Sequence, residues 1–391
     1  METVKTGTAM ARSLSTLRQW IKDGHIESGV PLPSERVLSA RLDVNPRTLR
    51  RAIAVLEDEG VLLRKGPRVR MVSRPKPDKA EDSFLNDSVL LLSGELTPFK
   101  FDRHPGDGWA ISILRGCLIG ISRGGMHSMN LNMQRLHDSL TSFLGQAPGG
   151  MIVACDPAPL PPIEELKLAQ SAKIPMSIYG NDPEIREFDR VASDHLNGSY
   201  ELTKLALAAG KRRIMRMASF SNSATYWQEG RRAGFIKAMS EAGIQPMPEL
   251  SEHQFSNDSA QSARQRWEMS TRYNLGCLVE YFAANGRPEV IMAQSDGDVF
   301  SIAAACRILG IEPGRDIEIC GYDNYWKESA ELQFEHYEPF ATVDKLNLDI
   351  GLELADLMLK RKEGSLPPEP QLRLLKPRLL VRQIAEHTIK I

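Results

Sequence analysis

Residues 32–63 read LPSERVLSARLDVNPRTLRRAIAVLEDEGVLL, and the fold of the N-terminal part turns on them. Ser34 stands just before Glu35, Arg36, Val37 and Leu38, where its hydroxyl can accept from the exposed amides of a helix running to about Leu42. Asp43 and Val44 make a tight turn. Asn45 followed by Pro46 is a cap with proline at the first helical position, so a further helix is expected from Arg47 to about Glu59, stopped by Gly60. Two short helices joined by a turn of a few residues form a helix-turn-helix. The second of them would present Arg47, Thr48, Arg50 and Arg51 to a DNA groove. Arginine can bond guanine in bidentate fashion, and threonine can contact phosphate or a thymine methyl.

On the N-terminal side, Leu14, Leu17 and Ile21 recur at helical spacing, which predicts a first helix over Arg12 to Ile26. On the other side, residues 61–72 (VLLRKGPRVRMV) read as two strands around a Lys-Gly-Pro turn, a wing with basic residues at its tip and flanks. Lys65, Gly66 and Arg68 join the expected DNA-facing set there, with Ser34 and Arg36 at the other end. Residues 73–86 combine prolines and charges with few apolar side chains and cannot bury enough surface to fold alone, so they read as a linker. Residues 1–74 hold 14 Lys and Arg against 8 Asp and Glu, a surplus of +6 that leaves −7 for the rest of a chain of net charge −1. Only this first segment has the footprint of a polyanion-binding module.

The segment from about Leu14 to Val72 resembles the GntR family of winged-helix regulators. The resemblance rests on residues 32–36 (LPSER), 44–52 (VNPRTLRRA) and 56–62 (LEDEGVL). It implies DNA contacts from Arg36, Thr48 and Gly66.

Beyond Asp87 strands alternate with helices, including Val89 to Ser93, Gly150 to Ala154, Met176 to Tyr179, Gly198 to Ala209, Cys277 to Ala284 and Val290 to Ala293. A further element is expected over Asp138 to Leu144. Such alternation predicts parallel sheets covered by helices. This region resembles the effector domain of the LacI family, which shares the periplasmic sugar-binding-protein fold. Residues 191–198 (VASDHLNG), 229–235 (EGRRAGF), 288–296 (PEVIMAQSD) and 319–324 (ICGYDN) carry the likeness, with 341–344 (ATVD) and 377–382 (PRLLVR).

The expected architecture is therefore α/β, an N-terminal winged helix-turn-helix (1–73), a linker (74–87) and a two-lobed body (88–391). Lobe 1 is expected over about 88–187 and 344–363, and lobe 2 over about 188–343 and 364–391. Ligands of such domains meet polar groups at the carboxyl ends of parallel strands, in a cleft between lobes. Ser295, Asp296 and Asp323 stand at such ends. The resemblance implies that Arg231 and Asp323 bind a ligand's hydroxyls or polar edges, and Trp227 lies one helical turn before Arg231. Trp109 and Tyr179 are the expected opposing wall, with Phe99, His104 and Asp107 as further candidates.

The 391 residues, 42% hydrophobic and 25% charged, suit a soluble protein of two or three domains. No apolar run is long enough to span a membrane, and no secretory signal is evident, so a cytoplasmic location is expected. The cysteines (Cys117, Cys155, Cys277, Cys306 and Cys320) lack paired spacing and read as buried free thiols, with neither disulfides nor a metal site. Absence of GxSxG, GxxxxGK[ST] and HExxH patterns disfavours an enzyme, and neither catalytic residues nor a cofactor are expected. The reading is a homodimeric regulator of operator DNA, a repressor of carbohydrate use controlled by a small sugar-like effector. A nucleobase or other non-sugar metabolite is the alternative effector.

Overall fold

The computed structural model describes residues 3–23, 25–26, 30–58, 61–64, 66, 69–72, 84–93, 108–132, 143, 146–154, 163–220, 225–253 and 262–382. They divide into two units, Met1–Ser83 and Phe84–Ile391. Of the expected linker, residues 84–87 form a turn and 74–83 lie outside the described residues, as do Gly60 and the element expected over Asp138 to Leu144, save Phe143.

The first unit holds helices α1 (Thr3–Lys22), α2 (Glu35–Leu42) and α3 (Pro46–Asp58). Ser34 Oγ accepts from Val37 N–H at 3.4 Å and Asn45 Oδ1 from Thr48 N–H at 2.8 Å, so the caps expected for α2 and α3 are in place. Asp43 closes α2 in the left-handed region, at φ 48°. Leu17, Leu38, Leu49, Ile53, Leu56, Leu62 and Val72 fill the core. Strands β1 (Leu62–Arg64) and β2 (Arg70–Val72) pair antiparallel as the wing. Arg70 fastens it to the helices, donating to Glu57 at 2.6 Å and lying 3.7 Å from Glu35. α1 starts well before the expected Arg12 and stops before Ile26, because apolar spacing registers only the stretch that packs, around Leu14, Leu17 and Ile21.

The second unit contains two parallel sheets. The first is built from β3 (Ser88–Ser93), β4 (His127–Asn132), β5 (Gly150–Val153), β6 (Met176–Tyr179), β7 (Arg190–Ser193) and β13 (Leu372–Leu375), in the order β13-β7-β6-β5-β3-β4. Successive residues of a strand face opposite sides. Leu90 and Leu92 accordingly join the layer of α5 (Ile163–Ser171), while Val89 and Leu91 meet α4 (Gly108–Arg123) and α10 (Asn347–Lys362). Two glycines let α4 and α10 touch. A Cβ on Gly116 would lie 2.2 Å from Leu348 O, and one on Gly351 2.0 Å from Ile113 O.

The second sheet, β11-β10-β8-β9, comprises β8 (Ile214–Phe220), β9 (Leu250–His253), β10 (Val290–Met292) and β11 (Glu318–Cys320). Its helices are α6 (His195–Ala208), α7 (Tyr226–Glu241), α8 (Ala263–Asn285) and α9 (Asp296–Ile308). Hydrogen bonds from Gly321 N to Ala341 O and from Asp323 N to Val343 O extend it to β12 (Ala341–Asp344), which pairs antiparallel with β14 (Arg378–Val381).

The chain passes between the sheets at Ser193–His195, Asp344–Asn347 and Leu375–Arg378. These crossings correct the expected lobe limits. The residues of β7 and β13 fall within the limits expected for the second lobe, but these strands pair with each other and β7 with β6, so both complete the first sheet. Among the described residues no helix is long and apolar enough to cross a membrane. Cys117, Cys306 and Cys320 are buried free thiols and Cys277 is half-buried; Cys155 lies outside the described residues.

Candidate functional site

In α3 the inward stripe is Thr48, Leu49, Ala52, Ile53 and Leu56, which leaves Arg47, Arg50 and Arg51 exposed on the opposite face. Ser34 and Arg36 are exposed beside them, and Gly66 is half-exposed in the wing turn. Thr48 is the exception to the expected DNA-facing set. It is only 6% exposed, because its place beside Leu49 and one turn before Ala52 turns it into the core. Arg50 donates to Glu35 at 2.8 Å, an exposed pair that orients the guanidinium more than it stabilises the fold. Lys65 and Arg68 lie outside the described residues.

In the second unit the carboxyl ends of the two sheets meet. Asp182, beyond β6, accepts from the first amide of α7, Tyr226 N–H, at 3.2 Å. Gly108, at the start of α4, lies against the ring of Tyr325, beyond β11; a Cβ there would be 3.4 Å from it. A cluster centred on Arg231 reaches both neighbourhoods, through His195 edge-on to Tyr226 and through Lys345 over Trp109.

Arg231 is 6% exposed, with its guanidinium carbon 3.5 Å from the ring centre of Tyr322 and 4.7 Å from that of Trp227. It donates to Gln294 O at 2.6 Å, to Asp323 Oδ1 at 3.1 Å and to His195 Nδ1 at 3.4 Å. Stacking against faces of two aromatic rings stabilises a desolvated guanidinium by about 2 kcal/mol per good contact. Acceptance at Nδ1 puts the proton of a neutral His195 on Nε2, which is buried and has no partner among the described residues. Burial, and then the charges of Arg231 and Lys345, hold its pKa well below the ordinary value, so His195 stays neutral.

Asp323 Oδ1 also meets Lys345 Nζ at 3.1 Å, and Lys345, 3% exposed, lies 4.3 Å from the ring centre of Trp109. Lys345 sits on a crossing between the lobes, and nothing in the expected set included it. Asp323 and Asn324 take φ of 91° and 55°. Two successive left-handed non-glycine residues store strain of the kind that collects where a carboxylate must be aimed.

The remaining expected ligand residues divide. Trp227 and Trp109 are half-buried, Trp227 against Arg231 and Trp109 against Lys345. Tyr179 is 3% exposed and belongs to the first lobe's core, with its ring centre 6.1 Å from that of Trp109, so it backs the wall and does not form it. Ser295 caps α9, donating through Oγ to Asp298 at 2.8 Å. Asp296 is fully buried. Its carboxylate accepts from Thr342 Oγ1 at 2.7 Å, Tyr325 N at 2.8 Å and Trp326 N at 3.2 Å, and so holds the loop that carries Asp323. Burial, reinforced by the charge of Asp323, pushes its pKa up to about 7. Phe99, His104 and Asp107 lie outside the described residues.

Residues 14–68 match the family described as bacterial regulatory proteins, gntR family, and residues 204–383 match the periplasmic binding protein-like domain. The arabinose metabolism transcriptional repressor of Halalkalibacterium halodurans is 24% identical over 391 residues, 95% of this chain and 96% of the relative. The HTH-type transcriptional repressor PurR of Glaesserella parasuis is 24% identical over 255 residues, 64% of this chain and 68% of the relative. Among solved structures, the transcriptional regulator CelR-cellobiose complex superposes with a TM-score of 0.59 at 19% identity, covering 87% of this chain and 91% of that one.

Proposed function

We propose, from the premise that this chain joins a GntR-type DNA-binding head to a LacI-type body, that it represses carbohydrate-utilisation genes under control of an effector held between its lobes. The observation that carries the effector reading is the buried Arg231–Asp323 pair, its guanidinium stacked on Trp227 and Tyr322, beyond the carboxyl ends of the second sheet's strands. A guanidinium donates and a carboxylate accepts, so together they can orient a polyhydroxylated ring while an aromatic face covers its C–H side. Relatives named for arabinose metabolism favour a sugar; relatives named PurR keep a nucleobase as the second reading.

In this reading two chains associate in the cytoplasm through their bodies and set two heads on a two-fold symmetric operator. The effector stabilises one arrangement of the lobes over another, and only that difference in affinity can alter operator binding. The cleft serves recognition, and its carboxylates orient ligand without transferring a proton to it.

A thermal-shift screen of the full chain against pentoses, hexoses, cellobiose and purine bases tests this. A sugar that binds only the folded protein raises Tm by mass action. Asp323→Asn, which tolerates the left-handed backbone, should abolish that rise while leaving operator binding intact. A full rise in the variant would remove Asp323 from the site, and a rise with purines alone would shift the effector class.

A further inference from the structure

We propose that Arg70, on the wing strand β2, is a positioning residue for base readout: it steadies the Glu35 carboxylate that aims Arg50 of α3. The inference rests on the reading of the exposed arginine face of α3 as the one that meets DNA.

Side chains from α2, α3 and β2 form a row of alternating charge. Arg70 donates through Nε to Glu57 at 2.6 Å and brings Nη1 to 3.7 Å from Glu35 Oε1, while the other oxygen of Glu35 accepts from Arg50 Nε at 2.8 Å. Burial falls along the row, from 18% exposure for the side chain of Arg70 to 65% for that of Arg50. Arg50, at the open end, is the member placed to reach a base edge. With Nε engaged by Glu35, the two terminal nitrogens of its fork remain for a bidentate bond to guanine.

The backbone of Arg70 is tied to the same helices. Its carbonyl accepts from Leu32 N–H at 2.7 Å, just ahead of the Ser34 cap of α2. Across the wing Arg70 stands directly opposite Arg64. Like charges so placed weaken a strand pair, so the wing itself gains nothing from an arginine here. The carboxylates of Glu57 and Glu35 offset that cost and seat the guanidinium against α2 and α3. A carboxylate restrained at one oxygen has less freedom to swing, and the guanidinium on its other oxygen is then aimed before DNA arrives. Ordering done in advance is not charged to binding. Without Arg70, Glu35 would be held only by the exposed Arg50 and would stand unneutralised near the phosphates.

Specificity is the readout, because a cation that merely attracts phosphate strengthens binding to every sequence alike. Fluorescence anisotropy at fixed salt gives the affinity of the full chain for a duplex that the wild type selects from a random pool, and for a scrambled duplex of the same composition. Arg70→Met should lower the ratio of these affinities by about threefold to tenfold, and should leave it unchanged when made in an Arg50→Ala background. Glu57→Ala should lower the ratio too, although the added positive charge favours both duplexes; it keeps the test decisive if Arg70→Met fails to fold, which urea unfolding reports. An equal loss on both duplexes, or losses from Arg70→Met and Arg50→Ala that multiply independently, would overturn the proposal. If Arg50→Ala keeps the wild-type ratio, the reading of the α3 face fails and the proposal with it. If Arg50→Ala lowers the ratio while Arg70→Met and Glu57→Ala do not, the proposal alone fails.

Discussion

Asp296 has no access to solvent, and Thr342, Tyr325 and Trp326 supply its hydrogen bonds. Its pKa of about 7 in the fold lies above the ordinary 3.8, so the fold binds this proton more tightly than the unfolded chain does. The resulting stability is fully present below the unfolded value and is lost as pH rises through about 7. Asp296→Asn can keep all three contacts, its amide oxygen accepting the two backbone N–H groups and its amide nitrogen donating to Thr342. Between about pH 8 and pH 5 the wild type should therefore gain ~1–3 kcal/mol more stability than the Asn variant, read by urea unfolding. Parallel profiles would show that Asp296 does not titrate there. Strand-end position, visible in the sequence, brought Asp296 and Asp323 forward alike. It cannot say which way a side chain turns, since that depends on Thr342 and Lys345, which are remote in the chain. Arg231 was legible through its motif, whereas Lys345 carries no local signal and acquires meaning only once the crossings are placed.

At the scale of elements, α7 is held against α6 by the absence of one side chain. A Cβ on Gly234 would lie 2.2 Å from Leu196 O and 2.8 Å from Tyr200 N, both backbone atoms of α6. Gly234→Val must push the helices apart, at a cost of about 1–3 kcal/mol, and since α7 carries Trp227 and Arg231 it should also weaken effector binding. Urea unfolding and titration check both effects; an unchanged midpoint would mean that the helices do not approach so closely. Elements with local punctuation were legible, as Asn45-Pro46 shows for α3. α8 was not: the expected Cys277 to Ala284 is only part of Ala263–Asn285, because exposed polar residues such as Arg264 and Gln265 hide the start that Ser262 caps. β7 and β13 were misplaced because a strand's sheet is fixed by its hydrogen-bond partners, and β13 finds its partner far back along the chain.

For the whole molecule, charge and chemistry divide the labour between a basic head and an acidic body. The exposed arginines of α3 are on one unit, and Arg231, Asp323 and Lys345 are on the other. Control therefore requires that a ligand in the body alter the free energy of DNA binding by the head, a coupling that is reciprocal by linkage. Fluorescence anisotropy of a labelled operator fragment, titrated with the full chain at fixed salt with and without the sugar that raises Tm, measures that coupling directly. Operator affinity should change by about fivefold or more when the sugar is present. Identical operator affinity with a saturating sugar that demonstrably occupies the cleft would contradict the account.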